Sequence, residues 1–216
     1  MAPDINVELL PGIRGLLTKR WALFVALIFV ADLALFIASS LYPVPPSDVE
    51  SVVNQAKGLV EGLSQAPLPV KVLLIFANNA RIAVVEFVPV LGTIVFAVSS
   101  FTTGQVLSAT AATTGIPSPL LVFAVFSSPH SWLELPAYAL AAAQSLLLIY
   151  AAATRSFKFE LRRTGVVMAI DMVVLFYAAF LESVTIELGL LGVPVAWVLL
   201  FPFLLGGYLA YRSARA

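Results

Sequence analysis

At 216 residues, the chain is 61% hydrophobic and only 11% charged, with a formal net charge of zero and a mean hydropathy of +1.01. A water-soluble domain is about a quarter charged, so a soluble globule is excluded, and the balanced charge leaves no field to draw in nucleic acid. The absence of cysteine also excludes a disulfide framework, a thiolate nucleophile and cysteine-based zinc or iron–sulfur sites.

Apolar runs of about 20 residues, long enough to cross a bilayer as a helix, recur along the chain. The first, Trp21–Tyr42, contains Asp32 and follows Arg14, Lys19 and Arg20. Positive residues before a first span favour a cytoplasmic amino terminus, here residues 1–20. The run exceeds the 7–15 apolar residues of a signal peptide, so it reads as a retained helix. After "YPVPP", residues 43–69 form the clearly water-facing loop, placed on the extracytoplasmic side. Ser47 and Glu50 have capping-box spacing, and Val49, Val52, Val53, Ala56, Leu59 or Val60, and Leu63 recur at helical spacing. A short amphipathic helix is predicted, covering its own bundle or docking a partner.

Val70 to Ser100 reads as a second span, with Asn78, Asn79, Arg81 and Glu86 in its first half. Gln105–Ser128 reads as a third, broken by Gly115, Pro117 and Pro119, since proline lacks the N–H that a continuous helix needs. Leu133–Ala153, Gly165–Leu181 and Leu191–Tyr211 complete the set. The connector 154–164 holds Arg155, Lys158, Arg162 and Arg163 against Glu160, and the tail adds Arg212 and Arg215. The turn with Glu182 and Glu187 carries no positive charge. Placing both termini and the basic connector in the cytoplasm requires an even number of crossings before that connector. The broken stretch must then cross; were it re-entrant, Val70–Ser100 would itself have to be a hairpin. The prediction is an all-α, polytopic transmembrane helix bundle of about six spans, one integral membrane domain over 1–216, with broken helices around 115–136.

Ionisable residues inside a membrane point to function by default. The candidate polar cluster is Asn78, Asn79, Arg81, Glu86, His130, Glu134 and Asp171, with Pro117, Pro119, Pro129 and Pro136 as helix breakers. For Asp32 and Asp171, pairing with Arg81 stands beside an ion path. Arg81 and Glu86 are five apart and project to different faces. Arg81, near the start of its helix, is expected to snorkel to the interface. His130, the sole histidine, shares a helical face with Glu134 if the helix has already begun there. Pro136 would kink that helix or delay its start. "SWLE" also fits a capping box, with Ser131 as cap and Glu134 as its acid. These residues therefore either satisfy N–H groups at a break or form a proton, cation or partner site.

Enzyme signatures are absent. One histidine cannot make HExxH, no GxSxG elbow occurs, and Ser127 and Ser128 are too near His130 in sequence to face it easily. No Walker A or dinucleotide fingerprint appears, and "LLGGYL" reads as small residues for close helix packing. No catalysis, cofactor or metal is expected.

"FANNARIAVVEFVPVLGTIVFAVSS", then "GQ", then "SSPHSWLELPA" resembles the stage II sporulation protein M family. The matching positions are Asn78, Asn79, Gly92, Gly104, Pro129, His130, Glu134, Leu135, Pro136 and Ala137, within about Phe76–Leu146. The chain departs from the family pattern at Ser131, where glycine is frequent, and at Thr103-Gly104, where Asn-Gly is frequent. The resemblance implies a non-catalytic membrane scaffold in the cell membrane, surrounded by lipid and recruiting other membrane or envelope proteins, with homo-oligomers open. The alternative from a different class is a small transporter or channel that uses buried acids at helix breaks.

Overall fold

Backbone polar groups in hydrocarbon must be satisfied within their own segment, which leaves the helix as the natural solution for each apolar run. A computed structural model describes residues 17–154 and 156–213, without the side chains of 55–61, 64, 211 and 213. Arg14, Arg155, Arg215 and most of the 1–20 segment lie outside the described residues, as do the side chains of Ala56, Leu59 and Val60. The helices are α1 (Lys19–Leu41), α2 (Pro46–Ser64), α3 (Leu68–Glu86), α4 (Leu91–Thr114) and the short α5 (Ser118–Ser127). They continue with α6 (Ser131–Ala153), α7 (Phe157–Leu188), a 3-10 turn (Gly189–Leu191) and α8 (Gly192–Ser213), with no strand among the described residues. Five apolar stretches are long enough to cross a membrane, and the last, Phe157–Ala210, contains both α7 and α8. The all-α bundle of about six spans is therefore present.

Side-chain packing sets the helix directions. Ala83 clusters with Ala137 and Leu175, and Phe87 with Ala141, Val167 and Trp21. Thus α3 and α6 run parallel, with α7 antiparallel to both. Ser100 Oγ donates to the Asp32 carbonyl at 3.4 Å and Ser108 Oγ to that of Tyr42 at 2.9 Å, so α1 and α4 run parallel. Trp21 Nε1 donates to Gln144 Oε1 at 2.9 Å, bringing the start of α1 to the lower half of α6. Leu181 packs with Ala196 and Leu200, while Tyr177 stacks on Phe203 at 4.1 Å, making α7 and α8 antiparallel. The chain rises in α1, descends in α3, rises in α4, descends through α5 and α6, rises in α7 and descends in α8. Both ends of the described chain, with connections 87–90 and 154–156, share one end of the bundle.

The third span is where the expectation needs correction. Val70–Ser100 is not one helix, because α3 ends at Glu86 and α4 begins at Leu91. Gly92 lies so close to the Glu86 backbone that a Cβ has no room, and Val90 takes φ 69° to make the turn. From there α4 runs past Gln105 to Thr114 and stops at Gly115, which is left-handed at φ 71°, a common helix terminator. The break consequently falls in the fourth crossing, α5 plus α6, not in the third. Parity survives because the hairpin and the half-helix both exist.

The Ser47–Glu50 capping box does not form. Helix α2 starts one residue earlier, at Pro46, where proline's set φ suits the first helical position, and Ser47 Oγ donates to Asp48 Oδ1 at 2.9 Å. Val53 is buried and Val49 and Val52 half-buried, while Asp48, Glu50, Ser51 and Asn54 are exposed. Val49, Val52 and Val53 of the apolar stripe are turned onto the bundle. The packing read for "LLGGYL" is also corrected: a Cβ at Gly206 or Gly207 would meet nothing within 4 Å. These glycines line an outward groove beside Ala169 and Val173.

Candidate functional site

Between α5 and α6, Ser128, Pro129 and His130 interrupt the helix inside the bundle. Freed carbonyls in such a setting are costly unless donors reach them. Ser131 Oγ donates to Val125 O at 2.8 Å and Trp132 Nε1 to Phe126 O at 2.8 Å. From α8, Trp197 Nε1 donates to Ser127 O at 2.9 Å. Pro117 precedes α5 and Pro119 sits in its first turn, where a missing N–H costs least.

His130 holds the N-cap position of α6, and its carbonyl accepts from Leu133 N and Glu134 N, each at 2.9 Å. The expected Ser131–Glu134 capping box is not formed. Ser131 is the first helical residue and caps nothing, and Glu134 turns away to accept from Asn79 Nδ2 at 2.9 Å. Nor does Pro136 delay the helix: it lies inside α6, so near the start that only the bond to Trp132 is lost.

Glu182 of α7 completes the arrangement. Donor atoms of His130, Glu134 and Glu182 all lie within 4.8 Å of one another. A cavity of about 290 Å³ adjoins them, lined by Asp32, Asn78, Asn79, Ser99, Ser100 and Tyr138 among others. Further along the bundle, Glu86 is wholly buried and its Oε1 accepts from Ser99 Oγ at 3.1 Å. Asp171 is equally buried and neither oxygen has a hydrogen-bond partner.

Of the predicted cluster, Asn78, Asn79, His130 and Glu134 meet around the cavity. Glu86 and Asp171 do not line it, although Glu86 stands directly behind Ser99, which does. Arg81 is excluded: it is exposed and donates to Asn78 Oδ1 at 3.3 Å. The turn at 87–90 also puts Arg81 near the end of its helix, opposite to the expectation. It does not pair with Asp32 or Asp171. The ion pairs among the described residues are Lys71–Glu187 and Arg163–Glu160.

Glu182, Tyr138, Ser99 and Ser100 were not legible as site residues. Hydropathy ends the fifth span at Leu181, which assigns Glu182 to a turn, although α7 continues to Leu188. A signal was available: Ala178, Leu181, Glu182 and Thr185 have the i, i+3, i+4, i+7 spacing of one helical face.

About six apolar helices packed into one bundle, with a cavity at a broken crossing, define a multi-pass α-helical membrane protein. The family model described as Stage II sporulation protein M matches residues 21–185, from α1 to near the end of α7. The chain belongs to that family. No curated protein and no solved structure matches the chain.

Proposed function

We propose that this is a non-catalytic assembly protein of the cell membrane, with both termini cytoplasmic and α2 presented outside. The observation that carries the reading is the setting of α2. Val49, Val52 and Val53 are spent on its own bundle, and Asp48, Glu50, Ser51 and Asn54 face outward, leaving a polar helix face for another protein. Lys19, Arg20, Lys158, Arg162 and Arg212 gather at the opposite end, which the positive-inside rule assigns to the cytoplasm. A non-enzymatic role is supported by the serines beside His130. Ser127 and Ser131 give their hydroxyl protons to the Ala124 and Val125 carbonyls, not to the imidazole.

The test is co-purification after cross-linking in native membranes. Replacing Asp48 and Glu50 by arginine is expected to release partners while the bundle keeps its melting temperature. Partners fully retained by that variant would sink the reading. Val53→Asp, which unseats α2 itself, is expected to lower both.

A second reading, ion or solute transport, is favoured by one observation: acids recur at several levels of the bundle, from Glu134 through Asp32 to Glu86. Broken helices with polar residues at depth are how many transporters build their sites. Flux into liposomes that disappears in Glu134→Gln would decide for it; tight liposomes over a range of ions would decide against.

A further inference from the structure

We infer that His130, Glu134 and Glu182 form a binding site for one divalent first-row transition-metal cation. The inference stands apart from the assembly reading. Three chain segments supply the donors: the α5–α6 break, the first turn of α6 and the late part of α7. All donor atoms lie within 4.8 Å of one another. With bonds of about 2.0–2.2 Å, three donors around one ion stand roughly 3–3.8 Å apart. Side-chain rotations that draw the donors together by about 1 Å close the set.

Charge favours a divalent ion. The two carboxyl groups stand side by side inside an apolar bundle with a hydrogen bond between them, whose proton a cation would displace, and among the described residues neither has an ion-pair partner. A doubly charged cation makes the site neutral. The imidazole selects among divalent ions, since nitrogen donors suit zinc, iron, nickel or copper better than magnesium or calcium, while the two carboxylates also admit manganese.

Two further observations, one within the cluster and one beside it, point to a ligand. His130 Nδ1 is buried and has no hydrogen-bond partner. Asp32 is 2% exposed, its Oδ2 is likewise without a partner, and it lines the adjoining cavity. That cavity, of about 290 Å³, has room for the water ligands that three protein donors leave to be supplied. Asn79 Nδ2, bonded to Glu134 Oε1 at 2.9 Å, orients one carboxylate in the manner of outer partners at metal sites. A bound cation would tie the broken crossing to α7.

The chain's sole histidine makes the test direct. Full-length protein in detergent, with any purification tag removed and stripped by chelator, is labelled at the histidine ring nitrogens. It is then titrated with Zn²⁺, Mn²⁺, Mg²⁺ and Ca²⁺. The expected result is a saturable shift of the imidazole signals at one equivalent of Zn²⁺, broadening by Mn²⁺, and no response to Mg²⁺ or Ca²⁺. Melting temperature should rise with Zn²⁺, and Glu182→Gln should weaken Zn²⁺ binding about tenfold or more. Imidazole signals unchanged at excess Zn²⁺ and Mn²⁺ would overturn the inference without any variant. So would Zn²⁺ affinity unaltered in a folded Glu182→Gln protein.

Discussion

Two interruptions shape the bundle, one hidden inside a stretch that hydropathy reads as continuous and one at a boundary that the prolines announce, and they are built in opposite ways. At 87–90 the chain reverses tightly: Phe87 N bonds to Ala83 O, Gly92 N to Val88 O, and the Gly92 Cα sits on the Glu86 backbone. The turn is closed almost entirely by its own backbone, with Ser145 Oγ on Val88 O as the imported donor. At 128–130 the backbone satisfies less of itself, and Ser131, Trp132 and Trp197 bring donors to three successive carbonyls. The lesson is about space. A sealed turn has none and needs a glycine; an open break has side chains around it, and those side chains border a cavity.

The most severe way to break this comparison is to fill the sealed turn. Gly92→Val places a branched side chain against the Glu86 backbone, where overpacking is expected to cost about 3 kcal/mol or more. Folded yield and thermal unfolding in detergent check it, and an unchanged melting temperature would refute the close approach. At the open break, Trp197→Phe keeps the ring and deletes one donor, leaving the Ser127 carbonyl short of a partner. A loss of about 1–2 kcal/mol is expected, read as a lower melting temperature with faster amide exchange around 127–131. Equal exchange in both proteins would mean that the imported donor is dispensable.

Val90 offers a change of opposite sign. Its φ of 69° and ψ of −60° are foreign to a β-branched residue. Val90→Gly is expected to raise stability by about 1 kcal/mol despite the lost side chain, seen as a higher unfolding temperature. The smallest effect serves as a control on glycine itself. Gly165 lies in α7 with nothing within 4 Å of a Cβ, so Gly165→Ala is expected to stabilise by somewhat under about 1 kcal/mol through helix propensity. If Gly165→Ala destabilised as Gly92→Val does, the contrast between crowded and open positions would fail.

Much of the candidate site was legible because polar residues are conspicuous in an apolar chain. Asn79, His130 and Glu134 were picked out in that way, and the cavity brings them together. Arg81 was picked out by the same rule and faces outward, since hydropathy does not tell which side of a helix looks inward. Glu182 was passed over because it stands at the end of the apolar run with Glu187 five residues on, which reads as a turn, whereas α7 simply continues.

The sequence by itself determined the solvent, the helical class and the number of crossings, because each follows from sums along the chain: apolar length, charge placement and parity. Only the tertiary structure decided where the crossings are cut and which acids meet. Those outcomes depend on contacts between residues far apart in the chain. Gly92 can turn the chain because it packs on Glu86, and Trp197 satisfies a carbonyl of a break some 70 residues away. Likewise, Glu182 reaches His130 only because α7 folds back antiparallel to α6.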